Sequence, residues 1–221
     1  MNVTKRKSNA GFSLLELIMS MLIMLVLMGV VATLMSRSFA VRARESRKTD
    51  ALAASQAALN VLSREIGNSG YGIYEDAASG TPNNGLIVAD SDEHRLHFRA
   101  NLTNTGPAAT RDIVLSTSDP GEDVTYFFDA ATDSIVRYDP HDTPTTSVVV
   151  NGISNVTFGY VDYNSSGVPS AMTTTPTNNT GRIRITVEVK LEPIVGQTNN
   201  QTVTFTSEVT LRNSNYMLRQ Y

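Results

Sequence analysis

Two of the three histidines in the 221-residue sequence, and the carboxylates beside them, are the first candidates for chemistry. His94 and His97 stand three residues apart, next to Asp90, Asp92 and Glu93. A spacing of three puts two side chains on opposite faces of a strand, so the pattern favours a solvated polar turn over a metal site. There is no cysteine, which excludes disulfides, thiolate metal sites and cysteine nucleophiles.

Two acidic or amide-rich stretches, 119–123 and 162–167, are candidate calcium loops. Their ligand spacing does not match an EF-hand, and ordinary turn chemistry explains both. No nucleophile–base–orienter set and no glycine-rich phosphate loop is present. The formal charge of −3 also argues against a strongly basic nucleic-acid binder. We therefore predict a protein that is not an enzyme, with no metal site, no cofactor and no direct nucleic-acid partner.

Glu16 is a carboxylate inside the most apolar part of the chain. The run 14–35 has about 22 residues, enough at 1.5 Å per residue to cross a bilayer core of roughly 30 Å. A charged side chain there costs a few kilocalories per mole on insertion scales. Two interpretations remain open: Glu16 reaches water near the interface, or a cation of a neighbouring chain neutralises it.

Basic residues flank this run on both sides, so the charge rule alone leaves its orientation ambiguous. A basic segment, 5–7, precedes the run. Five basic residues follow it: Arg37, Arg42, Arg44, Arg47 and Lys48. Large polar C-terminal domains translocate largely regardless of charge, so we predict a cytoplasmic N-terminus. A cleaved secretory signal competes, but the apolar run is longer than usual and the nearest small-residue site, 38–40, is poor.

The segment from Gly11 to Leu17, GFSLLEL, follows the basic leader and opens the apolar run. It resembles the class III signal of type IV prepilins. The resemblance implies that prepilin peptidase cuts between Gly11 and Phe12 and then methylates the new amino terminus at Phe12. Glu16 becomes the fifth mature residue. The new ammonium is then a counter-ion for Glu16, in the same chain or the next, and in a low-dielectric helix bundle this pairing favours a fixed stagger between subunits.

The helical pattern continues beyond the membrane. No Pro or Gly occurs between Phe39 and Ile66, and Leu52, Leu59, Leu62 and Ile66 form one stripe. We predict one helix from Phe12 to about Ile66, ended by the glycines at 67 and 70, with its stripe packed on a sheet. A membrane-proximal coiled coil is the alternative use of the stripe.

The rest of the chain alternates in the manner of strands separated by turns. The predicted strands are 86–89, 95–99, 112–116, 124–128, 135–138, 147–150, 156–162, 182–191 and 202–211. The last two alternate well and form a predicted hairpin through 192–200, whose apolar face covers the helical stripe. The fold class is therefore α+β: a long N-terminal transmembrane and amphipathic helix packed on a C-terminal antiparallel β-sheet domain.

Later segments carry a second, looser resemblance. The sequences at 64–72, 150–160 and 212–216 are similar to those of PilW-like minor pilins, and J-type secretion pseudopilins share the layout. Many major pilins have a helix-kinking proline and a C-terminal disulfide. This chain has no proline before Pro82 and no cysteine, which is compatible with a minor subunit.

The resemblance implies a domain order of leader (1–11), transmembrane and filament-core helix (12–36), soluble half-helix (37–68) and β-rich pilin domain (69–221). It implies a minor pilin of a type IV pilus that helps prime assembly, located in the bacterial inner membrane with a periplasmic domain and then in the filament. Its partners are prepilin peptidase, other major and minor pilins, membrane lipid and, indirectly, the assembly platform protein and ATPase. The alternatives are a J-type pseudopilin of type II secretion and a single-pass anchored binding protein or enzyme.

Overall fold

The computed structural model describes residues 13–73, 83–103, 117–191 and 201–218. A single helix, α1, runs over Leu14–Ile66 for 53 residues, which is about 80 Å at the standard rise. Ser13 precedes it in an extended conformation, and Gly67 follows its last turn. The predicted long helix is confirmed, with its start at Leu14; the predicted first residue, Phe12, lies outside the described residues.

Within the described residues, seven strands follow α1 and form two antiparallel sheets. The strands are β1 (Arg95–Arg99), β2 (Asp123–Asp129), β3 (Ser134–Tyr138), β4 (Thr146–Asn151), β5 (Asn155–Asp162), β6 (Thr180–Leu191) and β7 (Gln201–Thr210). The first sheet has the order β1-β2-β3-β4 and the second β5-β6-β7, so within each sheet the strands that are adjacent in sequence pair with each other. A short helix, α2 (Asn215–Leu218), is the last described element.

Seven of the nine predicted strands are confirmed, with boundaries that differ by at most two residues. The predicted strand at 86–89 is wrong. Leu86 makes only an isolated bridge to Phe98, and the chain then turns into a 3-10 helix over Val88–Asp90. The hydroxyl of Ser91 donates to the Ile87 carbonyl and accepts the His97 N–H, which fixes the turn. The predicted strand 112–116 lies outside the described residues.

One hydrophobic core joins α1 to both sheets. Leu59, Leu62 and Ile66 are buried, as predicted for the helical stripe, and α1 packs on β4, β6 and β7. The stripe therefore packs within its own chain, which contradicts the coiled-coil alternative. Leu52 was predicted to share this contact but is 37% exposed. Ser55 takes the last buried position on the membrane side, and Ala51 and Ala54 are partly buried against the core beyond it, whereas Leu52 lies beside this face.

The pairing of β6 with β7 confirms the predicted hairpin strands. On β6, Ile183, Ile185, Val187 and Val189 face the core, while the residues between them are less buried. This period-two pattern is what a sheet with one buried and one wet face requires. Together these features make the fold α+β, as predicted.

Candidate functional site

The N-terminal half of α1 is an apolar surface that the rest of the described chain leaves uncovered. Every residue over 13–39 is exposed. Leu14 is 76% and Leu25 75% exposed, in contrast to the fully buried Leu62 of the same helix. Within the described residues, α1 is the one helix long and apolar enough to span a membrane. An apolar surface of this size is typical of a segment that contacts lipid or other protein, and the described part of the chain does not supply that contact.

Within residues 14–35, three polar side chains interrupt this apolar surface, and two of them are satisfied within the helix. The Ser20 hydroxyl donates to the Leu17 carbonyl at 2.8 Å, and the Thr33 hydroxyl donates to the Gly29 carbonyl at 2.7 Å. Glu16 differs: it is exposed in the first turn, and no other described residue pairs with it. A carboxylate in lipid requires a hydrogen-bond or charge partner or access to water. Within α1, Glu16 has no such partner among the described residues.

The geometry at the helix start bears on the charge that Glu16 experiences. Ser13 does not cap the helix with its side chain, and the first intrahelical bond runs from the Leu17 N–H to the Ser13 carbonyl at 3.1 Å. The helix macrodipole favours a negative group in this first turn. Gly11 and Phe12, the predicted processing residues, lie outside the described residues, so their position relative to Glu16 remains a prediction.

The other half of α1 carries a second carboxylate with opposite surroundings. Glu65 accepts a hydrogen bond from the Tyr126 hydroxyl at 2.6 Å and one from Arg137 Nε at 3.1 Å. Arg137 also donates to Asp139, which is fully buried, at 3.1 Å. This cluster fastens the end of α1 to β2 and β3. The sequence did not predict this cluster. The one sequence feature that pointed to it was the position of Glu65 beside Ile66, the last buried residue of the helical stripe.

Electrostatics within this cluster follow from burial and charge. Burial raises the pKa of the Tyr126 phenol, and the neighbouring Glu65 carboxylate raises it further. Burial would lower the pKa of Arg137, but the charge of Glu65 and its hydrogen bond outweigh that effect and raise it. Tyr126 is therefore a neutral donor and Arg137 a fixed cation, which makes the contact structural.

His97 departs from the predicted solvated turn. Its Nδ1 lies 2.9 Å from Asp90 Oδ2, and its Nε2 lies 2.5 Å from Asp123 Oδ1. Arg99 Nε reaches the other oxygen of Asp123 at 3.0 Å. Burial would raise the pKa of Asp123, but the hydrogen bond from His97 and the charge of Arg99 outweigh it and lower the pKa. His94 makes a different contact, with the Val156 carbonyl at 3.3 Å.

The two candidate calcium loops use their oxygens for internal hydrogen bonds. Glu122 is buried and accepts the backbone N–H groups of Leu102 and Thr103 at 2.7 and 2.8 Å. Asp162 accepts the hydroxyls of Thr177 and Thr180. Within the described ranges, no group of three or more His, Asp or Glu side chains is arranged to hold a metal ion. The oxygens named here are thus engaged in hydrogen bonds of the kind that stabilise turns.

Comparison with known proteins adds one match at the N-terminus. Residues 6–32 match the family model described as the prokaryotic N-terminal methylation motif. No curated protein matches the chain. No solved structure matches it either. The matched segment contains Gly11, Phe12 and Glu16 and the start of the exposed half of α1.

This motif and the apolar helix support a type IV pilin-like or pseudopilin-like precursor, anchored to a membrane by its N-terminal helix. The motif implies processing by prepilin peptidase and assembly with other pilins. It points to a structural subunit, a class of protein that is usually not enzymatic.

Proposed function

We propose that the chain is a minor pilin of a type IV pilus, cut between Gly11 and Phe12, methylated at Phe12, and active in priming filament assembly. The observation that carries the proposal is Glu16, the one polar group within residues 14–35 that no described residue satisfies. The methylation motif spanning residues 6–32 supports the processing step.

The proposed role of Glu16 follows from electrostatics in a medium of low dielectric. Cleavage creates an ammonium at Phe12, and in a bundle of parallel helices the ammonium of one subunit can lie beside Glu16 of its neighbour. The pair removes two uncompensated charges at once, and the attraction between them is far stronger in lipid or protein than in water. Because the two groups sit at fixed positions along the helix, their pairing selects one axial stagger between subunits.

The proposed topology assigns residues 1–11 to a cytoplasmic leader, 12–36 to the membrane and filament core, 37–68 to the soluble half-helix and 69–221 to a periplasmic domain. The buried positions of α1 begin at Ser55, so the part that packs on the sheets is well separated from the apolar half. Other pilins, major and minor, are the proposed neighbours of the apolar half in the filament. The assembly ATPase and platform protein act on the chain indirectly.

The processing step is tested by mass spectrometry of the N-terminus. The full chain is expressed in a host without prepilin peptidase and in the same host supplied with it, alongside a Gly11→Val variant. We expect a peptidase-dependent product that begins at Phe12 and carries an added methyl group, and no such product from Gly11→Val. An intact N-terminus in both hosts, or cleavage near Ala40, contradicts the proposal.

The pairing step is tested by Glu16→Ala in cells that assemble filaments. We expect normal cleavage but at least a tenfold loss of the protein from sheared filaments, because a few kilocalories per mole of charge pairing correspond to a tenfold effect or more. Glu45→Ala is the matched control: it removes an exposed carboxylate from the same helix outside the apolar half. Normal incorporation of Glu16→Ala would remove the role assigned to Glu16 and leave the processing step intact.

Deletion of the gene distinguishes the pilus from the secretion machine. A minor pilin is required for surface pili, so we expect their number to fall while export of folded proteins continues. Loss of protein export with normal pili would instead assign the chain to a type II secretion pseudopilus, as a J-type subunit. Both outcomes retain the processing chemistry at Gly11 and Phe12.

A further inference from the structure

A cavity of about 450 Å³ lies between the loop that follows β5 and the C-terminal helix α2. Its walls come from three parts of the chain: residues 163–167, Asn179 just before β6, and Asn215 with Tyr216 at the start of α2. The volume falls in the range of small-ligand sites, which is roughly 300–1,000 Å³. The proposed assembly function does not use this cavity.

Two tyrosine rings form the apolar part of the wall. Tyr163 and Tyr216 stack with their centroids 4.3 Å apart and their planes 10° from parallel. Two glycines make room for them: a Cβ at Gly167 would lie 2.6 Å from Tyr216 Cε2, and one at Gly181 would lie 2.8 Å from Tyr163 Cδ2. Cβ atoms essentially never make non-bonded contacts this short, so any other residue at either position would displace a ring. The rings are thus held in a fixed place.

The polar part of the wall consists of neutral groups, several with unused hydrogen-bonding capacity. Asn164 Oδ1 accepts two backbone N–H groups of its own loop, and Asn215 Oδ1 accepts the Asn83 amide at 3.1 Å. The amide nitrogens of Asn164 and Asn215 remain available as donors within the described structure. Among the described residues, the Tyr163 and Tyr216 hydroxyls likewise have no partner. None of the described residues that line the cavity is charged.

From this lining we infer that the cavity binds a neutral saccharide of one or two rings. Sugar hydroxyls donate and accept hydrogen bonds, which suits a wall of amides and hydroxyls. The apolar C–H groups of a sugar ring can contact the edges of the Tyr163 and Tyr216 rings, whose facing surfaces are stacked on each other. A phosphate, a carboxylate or a nucleic-acid backbone would need a cation, and the described lining offers none.

The position of the cavity suits a ligand presented from outside the cell. Asn213 Nδ2 donates to the Ser69 carbonyl at 3.0 Å, only three residues beyond the end of α1. The residues that begin α2 therefore lie beside the end of α1 that is opposite to its apolar half. The part of α1 beyond the proposed membrane segment, residues 37–66, is about 45 Å long at the standard rise and separates the cavity from the membrane anchor. In a membrane or a filament, this end of the domain points away from the anchor.

The test uses the full chain in a zwitterionic detergent, because glycoside detergents would compete for the cavity. Saturation-transfer NMR is recorded with methyl β-D-galactopyranoside, methyl α-D-glucopyranoside and maltose, and with glucuronate and an oligothymidylate as charged probes. We expect saturation transfer to at least one neutral sugar and none to the charged probes. We expect Tyr216→Ala to weaken that binding by about tenfold, since a ring contact and a hydrogen bond are lost.

Two variants separate a lost contact from a lost fold. Tyr71→Ala is the control, because Tyr71 is 56% exposed and does not line the cavity, and we expect it to bind like the parent chain. The double variant Tyr163→Phe and Tyr216→Phe keeps both rings and removes only their hydroxyls, so it tests binding with the packing intact; we expect weakening of about threefold or more. Three outcomes would each overturn the inference. They are the absence of binding by every neutral sugar, sugar binding that is unchanged in Tyr216→Ala and in the double variant, and binding of a charged probe instead of a sugar.

Discussion

The two halves of α1 have the same backbone conformation and opposite surroundings. The first half exposes large apolar side chains throughout, whereas the second half buries Leu59, Leu62 and Ile66 against the sheets. The carboxylates differ in the same way: Glu16 has no partner among the described residues, while Glu65 has two. The contrast shows that one continuous helix can carry both a face that is buried within its own chain and an apolar surface that the described chain leaves uncovered.

The difference between the two halves of α1 is tested most directly by making the same substitution in each half and comparing the change in stability. Leu62→Ala should lower the free energy of unfolding by about 2–5 kcal/mol, because it leaves a cavity at a fully buried site. Leu25→Ala, at a residue that is 75% exposed, should leave the unfolding of the domain unchanged. Urea titration followed by circular dichroism measures both in the same detergent. Equal losses would mean that the two halves do not differ as described.

The carboxylates allow a second comparison with a smaller effect. Glu65→Gln keeps the side-chain size but removes the charge that Arg137 and Tyr126 contact, so we expect a loss of about 1.5–3 kcal/mol in unfolding free energy. Tyr126→Phe removes only the hydroxyl and should cost about 1 kcal/mol. Glu45→Gln is the exposed control and should have no effect on urea unfolding. A loss from Glu45→Gln as large as that from Glu65→Gln would contradict the proposed fastening of α1.

The pH dependence of stability tests the His97 cluster. The folded pKa of Asp123 lies below its unfolded value of about 3.9, so ionised Asp123 stabilises the fold above roughly pH 4. This contribution is lost as the pH falls through the folded pKa. Asp123→Asn should therefore be less stable than the parent chain at pH 6, and the two should approach each other near pH 2. A stability difference that is independent of pH would exclude ionised Asp123 as its source.

The smallest expected effect is at the ion pair on the wet face of the second sheet. Arg184 Nη2 lies 2.5 Å from Glu208 Oε1, and the hydrogen bond from Arg184 lowers the pKa of Glu208. Both side chains are more than a third exposed, so water and salt screen the pair. Arg184→Ala should change unfolding free energy by less than about 1 kcal/mol, and less in high salt. A loss of unfolding free energy comparable to that of Glu65→Gln would show that solvent exposure does not determine how much an ion pair of this protein stabilises the fold.

Periodicity predicted the elements whose burial is one-sided. The alternation of Ile183, Ile185, Val187 and Val189 indicated β6, and the leucine stripe indicated the buried face of α1. The same reasoning failed at Leu52, because the small neighbours Ala51 and Ala54 pack against the core at this level of the helix and Leu52 lies beside that face. It also failed at 86–89, where the Ser91 hydroxyl replaces strand pairing with a local turn.

The functional residues also differ in whether the sequence could predict them. The motif around Gly11 and Glu16 is contiguous, so it can be read directly from sequence. The Glu65 cluster cannot, because its members are 61 and 72 residues apart and meet only when α1 packs on β2 and β3. The tyrosine-lined cavity was missed for a similar reason: Tyr163 and Tyr216 come from a loop and a terminal helix that only tertiary packing brings together.

The continuity of α1 also has a mechanical consequence. The described helix has no break between its apolar half and its buried half, so both belong to one rod. Tension applied along this rod reaches the domain as shear across the contacts of α1 with β4, β6 and β7. Shear loads those contacts in parallel, whereas a hinge at a helix break would let the rod bend and separate them one at a time. Axial force on the apolar half of α1 is therefore carried into the hydrophobic core, and the domain stays attached to the helix as long as these contacts hold.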